Sequence, residues 1–122
     1  EGQTWEAVQF AGATKLSGLT VIIDRNRIQI SGDTESVLPM NNLGNAYRSF
    51  GWHVVEIDGN SVDEVRSTLQ KAREYTGGPL CVLAHTVPGK GVSFMENDYR
   101  WHGRTPTTEE AKKALEELEA HG

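Results

Sequence analysis

Leu19-Thr20-Val21-Ile22-Ile23-Asp24-Arg25-Asn26-Arg27-Ile28-Gln29-Ile30 is the stretch around which the chain organises. Its opening, Leu19 to Ile23, is a short apolar run rich in β-branched residues that stops at Asp24, the pattern of a strand buried on both faces. A polar segment from Asp24 to Asp33 follows. Within it Arg27-Ile28-Gln29-Ile30 alternates, and Ser31-Gly32-Asp33 has the composition of a turn. The same punctuation extends in both directions. Upstream, Trp5, Ala7, Val8, Phe10, Ala11 and Leu16 predict a helical face over Thr4 to Leu16, with Ser17-Gly18 as its stop. Downstream come a helix from Leu43 to Phe50 closed by Gly51, a strand from His53 to Ile57, and the turn Asp58-Gly59-Asn60. A helix from Val62 to Tyr75 then carries Val62, Val65, Leu69 and Ala72 on one side and ends at Gly77-Gly78. Leu80 to Ala84 is a third strand, followed by a loop containing Gly89 and Gly91 and an irregular segment to Pro106. Thr107 or Thr108 caps a final helix with Ala111, Leu115 and Leu118 as its stripe.

Strands alternating with helices predict an α/β fold: a mostly parallel sheet with helices on both faces and right-handed crossovers. The 122 residues suit one domain, 1–122, with a single core. In such sheets ligands sit beyond the carboxyl ends of the strands. The segments Asp24–Ile30, Asp58–Ser61 and His85–Gly91 are therefore expected along one edge.

Composition narrows the function. Hydrophobic residues are 37% and charged residues 24%, as in an ordinary globular protein, and a net charge of −5 without a basic stripe argues against a general nucleic-acid binder. The acidic excess falls in the last helix, as a solvated face. Cys81 is the only cysteine, so no intrachain disulfide can form, and its surroundings, Pro79 to Ala84, suit a buried strand in a reducing cytoplasm. No apolar run approaches the ~20 residues that span a bilayer, and no stretch has the pattern of a signal peptide. The chain opens at Glu1 rather than Met, and its helical pattern starts almost at once. A processed terminus and a parent chain cut upstream would both look like this.

Familiar phosphate and nucleophile signatures are missing. No GxGxxG follows a strand, Gly89-Lys90-Gly91 lacks the remainder of a P-loop, and neither a Ser-His-Asp nor a zinc-type spacing occurs. One local pattern is chemical. Asp24 ends a strand, Asn26 follows two residues on, and the backbone carbonyl two residues later is free to point back. Asn side-chain and backbone oxygens are hard, neutral ligands suited to Mg²⁺ or Ca²⁺. Asp and Asn also favour turns, and spacing alone leaves both readings open.

Five segments in order resemble the transketolase family: Glu1-Gly2-Gln3-Thr4-Trp5-Glu6-Ala7, Ile23 to Ile30, Gly51-Trp52-His53-Val54-Val55-Glu56-Ile57-Asp58-Gly59, Ala84-His85-Thr86-Val87-Pro88-Gly89-Lys90-Gly91-Val92-Ser93-Phe94-Met95-Glu96-Asn97, and Trp101-His102-Gly103. They look most like the amino-terminal subunit of two-gene transketolases, and the resemblance covers nearly the whole chain. It implies the thiamine-diphosphate-binding fold, with thiamine diphosphate and Mg²⁺ as cofactors. Asn26 would ligate Mg²⁺ through its side chain and Ile28 through its carbonyl. Asp24 would lie beside the cofactor, and Ile30 and Pro88 would pack against it. His102 would reach the diphosphate and the reacting sugar carbon, a place where imidazole can donate to phosphate or move a proton. Glu1 and Glu6 match glutamates of a carboxylate network at the dimer interface; as acids in the first turn of a helix they would also suit its dipole. His85 is a weaker candidate, equally suited to a structural hydrogen bond, while His53 and the terminal His121 read as structural and solvated.

The family's motif begins with Gly-Asp-Gly, whose Asp is the anionic metal ligand. The resemblance places it just before Glu1, upstream on a longer chain or on another chain. The glutamate that activates the aminopyrimidine belongs to a pyrimidine-binding half that nothing here resembles. The implied activity is transfer of a two-carbon ketol unit from a ketose phosphate to an aldose phosphate, in the company of that half. A deoxyxylulose-phosphate synthase, a dehydrogenase E1 component and a non-catalytic assembly module of the same fold are the alternatives.

Overall fold

The computed structural model describes Gly2–His121, the last of these by its backbone alone. Its elements are α1 (Gly2–Ala13), β1 (Thr20–Arg25), β2 (Ile28–Gln29), β3 (Gly32–Asp33), α2 (Thr34–Val37), α3 (Leu43–Ser49), β4 (His53–Asp58), α4 (Val62–Glu74), β5 (Leu80–His85), a 3-10 turn (Tyr99–Trp101) and α5 (Thr108–His121). The chain folds as two compact units. The first comprises the residues up to Arg25 with Asn41–Thr86; the second comprises Asn26–Met40 with the chain from Val87 onward.

A three-stranded parallel sheet in the order β1-β5-β4 is the frame of the first unit. β5 is its centre, and Leu80 to Ala84 are all buried, as a doubly covered strand requires. β1 is an edge strand, and there the expectation of burial on both faces fails. Val21 and Ile23 pack on the core, but Ile22 is 57% exposed. Side chains alternate across the sheet. Val21, Ile23, Cys81, Leu83 and Val54 meet Trp5, Val8 and Ala11 of α1 and Leu43 and Tyr47 of α3. On the opposite face Val55 and Leu80 line a cleft with Thr68, Lys71 and Ala72 of α4. Helices thus flank the sheet on both faces, as the alternating pattern predicts.

Aromatic packing joins α1 to α3. Trp52 donates its indole N–H to the Val8 carbonyl (2.8 Å) and meets Tyr47 edge-on at 5.3 Å; Trp5 lies 5.8 Å from Tyr47. The buried face of α1 is Val8, Ala11 and Gly12, with Trp5 half-buried, while Phe10 is 67% exposed and Leu16 lies beyond the helix. The helix stops earlier than Ser17-Gly18. Lys15 takes φ +50°, its N–H reaches the Gly12 carbonyl, and the Leu16 N–H reaches Ala11. This is a Schellman ending with a lysine where glycine is usual. α3 ends the same way at Gly51 (φ +85°), the stop that its sequence predicts.

In α4, Ser61 accepts the Glu64 N–H at 3.3 Å, and acids begin the helix while Lys71 and Arg73 end it. Its proposed apolar face is largely uncovered, with Val62 72% exposed. In the second unit β2 and β3 form a short antiparallel hairpin. Thr107 and Glu110 form a reciprocal capping box on α5: the Thr107 N–H donates to Glu110 at 2.8 Å and the Glu110 N–H to the Thr107 hydroxyl at 3.3 Å. Leu115 and Leu118 of the α5 stripe remain 61% and 45% exposed.

Gly12 is set against the turn after α3, where an added Cβ would overlap the Phe50 carbonyl. Gly12→Ala gains about 0.5–1 kcal/mol of helix propensity. Overpacking costs about 1–3 kcal/mol and wins. The expected outcome is a lower urea midpoint at unchanged m-value; a midpoint at or above that of the parent chain would disprove the close approach.

Candidate active site

Parallel pairing aligns the strand ends of the first unit. Arg25 of β1 and Asp58 of β4 both lie opposite His85 of β5. One residue back on β1, Asp24 is exposed and accepts a hydrogen bond from the Thr86 hydroxyl. Arg25 is only 8% exposed, the buried charged residue of the described core. Sequence reading passed over it; a cation closing an apolar strand was the available signal. Gly59 N–H bonds the His85 carbonyl at 2.8 Å, and a Cβ there would meet Thr86 at 2.5 Å, so this turn needs glycine.

Glu56 on β4 joins a histidine and an arginine at this edge. Its carboxylate takes the His85 Nε2 at 3.0 Å and an Arg48 guanidinium nitrogen at 3.1 Å. The His85 hydrogen bond, then that from Arg48, hold the Glu56 carboxyl below the usual carboxylate range. His85 therefore has a structural partner. Cys81 is fully buried, and burial pushes its thiol up to about 11, which leaves it protonated at neutral pH and unsuited to nucleophilic work. Glu6 is exposed on α1, but that helix begins at Gly2 and no acid lies in its first turn, so the dipole argument for Glu6 falls away. Glu1 and the side chain of His121 lie outside the described residues.

Asn26, Ile28, Ile30, Pro88 and His102 belong to the second unit, and Glu6 and Asp24 to the first. The chain enters the second unit at Asn26, immediately after β1, and again at Val87, two residues after β5. Arg27 takes φ +62°, the Asn26 side-chain oxygen accepts the Ile28 N–H at 3.1 Å, and the Arg27 carbonyl accepts the Thr34 N–H at 2.8 Å. That last bond flanks the Ile28–Asp33 pair, making it a non-hydrogen-bonded pair of the β2–β3 ladder. Both Ile28 backbone groups therefore face away from β3, on the edge that carries the Asn26 side chain. Neutral oxygens of this kind fit a hard divalent cation whose remaining ligands come from phosphate, water and an acid elsewhere. Among the described residues no group of three or more His, Cys, Asp or Glu side chains is arranged to hold a metal by itself.

Ile30, near the hairpin tip, is 80% exposed. Pro88 is half-buried, and its carbonyl accepts the Asn97 N–H at 3.0 Å. Gly89 has φ +69°, and a Cβ there would stand 2.8 Å from the Met95 backbone. His102 caps the 3-10 turn, donates its N–H to the Tyr99 carbonyl at 3.0 Å, and has an exposed ring. That turn packs against β3. The hairpin of Ile28 and Ile30 and the turn of His102 are thus neighbours within this unit.

Residues 1–121 match the family model described as transketolase, thiamine diphosphate binding domain. The chain is 42% identical over 122 residues to the 6-deoxy-6-sulfo-D-fructose transketolase subunit SqwG of Clostridium sp. (strain MSTE9), covering 100% of this chain and 44% of that protein. It is 37% identical over 118 residues to an apulose-4-phosphate transketolase subunit of Phocaeicola vulgatus, covering 97% and 42%. The crystal structure of transketolase from Campylobacter jejuni superposes with a TM-score of 0.88 at 30% identity, over 98% of this chain and 18% of that one. With this fold and these matches, the chain belongs to the transketolase family, in its thiamine-diphosphate-binding domain. It spans less than half the length of the two subunits it matches.

The Glu56 contacts make a pH-dependent contribution to stability. A carboxyl depressed in the folded state stabilises above its ordinary value of 4.5, and that stabilisation is lost as pH falls through the folded value. Urea midpoints of the parent and Glu56→Gln should differ at pH 7, and the gap should close as pH falls below 4.5 and through the depressed folded value. A gap that persists unchanged to pH 3 would show that the carboxylate charge is not its source.

Proposed function

We propose that this chain is the diphosphate-binding part of a cytoplasmic transketolase-type transferase, which moves a two-carbon ketol unit from a ketose phosphate to an aldose phosphate. When bound, thiamine diphosphate supplies the carbon–carbon bond chemistry, and Mg²⁺ ties its diphosphate to the protein. The observation that carries the reading is the turn at 26–28, where the Asn26 side-chain oxygen and the Ile28 backbone share one edge at the end of β1. Asn26 and the Ile28 carbonyl hold Mg²⁺, and Asp24 lies beside the cofactor. Ile30 and Pro88 offer it apolar surface. His102 binds the diphosphate and holds or moves a proton at the reacting sugar carbon. The whole of 1–122 belongs to one diphosphate-binding domain, and Glu6 contributes to a carboxylate network between active sites.

Both the sulfofructose and the apulose-phosphate relatives are subunits by name, which supports a partner. We assign that partner the pyrimidine-binding half, with its activating glutamate, and an upstream segment the Gly-Asp-Gly motif. Working assemblies are oligomers of these parts.

The native polypeptide, assembled with its pyrimidine-binding partner, should show Mg²⁺-dependent affinity for thiamine diphosphate in calorimetry. Asn26→Ala should weaken it by more than roughly 10-fold, the least expected when even an outer-shell metal contact is lost. Affinity that is indifferent to Mg²⁺ and to Asn26 would overturn the assignment.

A further inference from the structure

Around His102 the second unit builds a support that the proposed chemistry leaves unused. Trp101 donates its indole N–H to the Phe94 carbonyl at 2.9 Å and meets the Phe94 ring edge-on at 5.6 Å. The Arg104 guanidinium lies over the Trp101 ring, 4.1 Å from its centroid, and forms an ion pair with Glu110. Glu110 is the same residue whose other oxygen accepts the Thr107 N–H in the α5 capping box. The first turn of α5 thus grips Arg104, and Arg104 presses on the residue immediately before His102. A second tie lies further along, where the Ser93 N–H and hydroxyl donate to Glu117 of α5 at 2.5 and 2.9 Å. The His102 ring itself has no hydrogen-bond partner among the described residues. Its orientation must come from the backbone that carries it.

We infer that Arg104, clamped between the Trp101 ring and Glu110, is a positioning residue for His102, with α5 as the scaffold that fixes the turn. The inference rests on the proposed role of His102 at the diphosphate. A guanidinium, planar, weakly hydrated and with its donors in a fixed fork, serves the ring and the carboxylate together better than a lysine's compact, strongly hydrated ammonium. Glu110 has two duties, and they can be separated. In Glu110→Gln the amide oxygen still accepts the Thr107 N–H, so α5 stays capped. The ionic grip on Arg104 is lost.

The test uses the native polypeptide labelled with ¹³C in its histidine rings, with His102 assigned through His102→Asn. In Glu110→Gln and in Arg104→Met the His102 ring signals should shift or broaden, while those of His53 and His85 stay in place and far-UV circular dichroism is unchanged. In the enzyme assembled with its partner, both variants should lower kcat about 10-fold through misplacement of His102, and Arg104→Lys should recover little of it. His102 signals that superimpose on the parent's in both variants would overturn the inference. If the signals move but His102→Asn keeps full turnover and cofactor affinity, the support stands and the catalytic role proposed for His102 is what fails.

Discussion

The parallel pairing of β5 with both neighbours is the constraint on which the rest depends. Every residue from Leu80 to His85 is set opposite one residue of β1 and one of β4, so the three carboxyl ends finish level. A slip of one residue on either side would turn the inward side chains outward. On β1 it would turn Val21 and Ile23 out of the core; on β4 it would carry Val54 off the core face and Glu56 away from Arg48 and His85. Hydrophobic pattern and charge thus enforce one register, and that register decides where the loops depart.

At the end of β1 two readings of Asn26 converge. Its side-chain oxygen shapes a turn, as Asn commonly does, by accepting the Ile28 N–H. The same bond orients the edge that the proposed metal site needs. An amide oxygen has two lone pairs, so shaping a turn and ligating an ion do not exclude one another. Between the two proposed ligands Arg27 takes φ +62°, a conformation that costs a non-glycine residue on the order of 1 kcal/mol. The Asn26–Ile28 and Arg27–Thr34 bonds on either side offset it.

What the sequence conveyed divides along the range of the forces involved. β5, the capping of α5, the stop at Gly51 and the burial of Cys81 are local or compositional, and all were legible. The edge position of β1 was not, because a strand's own residues do not state how many neighbours it has; Ile22 shows the difference. Lys15 ended α1 ahead of the obvious glycine because two backbone hydrogen bonds and the packing of Gly12 on Phe50 hold it there. The Glu56–His85 pair spans 29 positions and carries no periodicity to betray it. The candidate ligands owed their identification to family resemblance, and spacing alone left Asn26 undecided between turn and metal.

A division of labour within the second unit bears on the proposed chemistry. A hairpin with strands of two residues cannot hold its own shape. Its form must come from the bonds about Arg27 and from packing on the 3-10 turn. Ile30, 80% exposed, contributes little to that stability, and its apolar surface stays open to a ligand. Covering it would yield about 1.5–3 kcal/mol, comparable with one good polar contact and without any need to break an existing one. His102 is placed likewise, with its backbone fixed and its ring uncommitted. By contrast Trp101, Gly89 and Asn97 are bound to the scaffold, and the turn at 26–28 is held by its own hydrogen bonds. A binding surface built this way requires little rearrangement on ligand arrival, so contacts to the ligand are not diluted by the cost of ordering the loop.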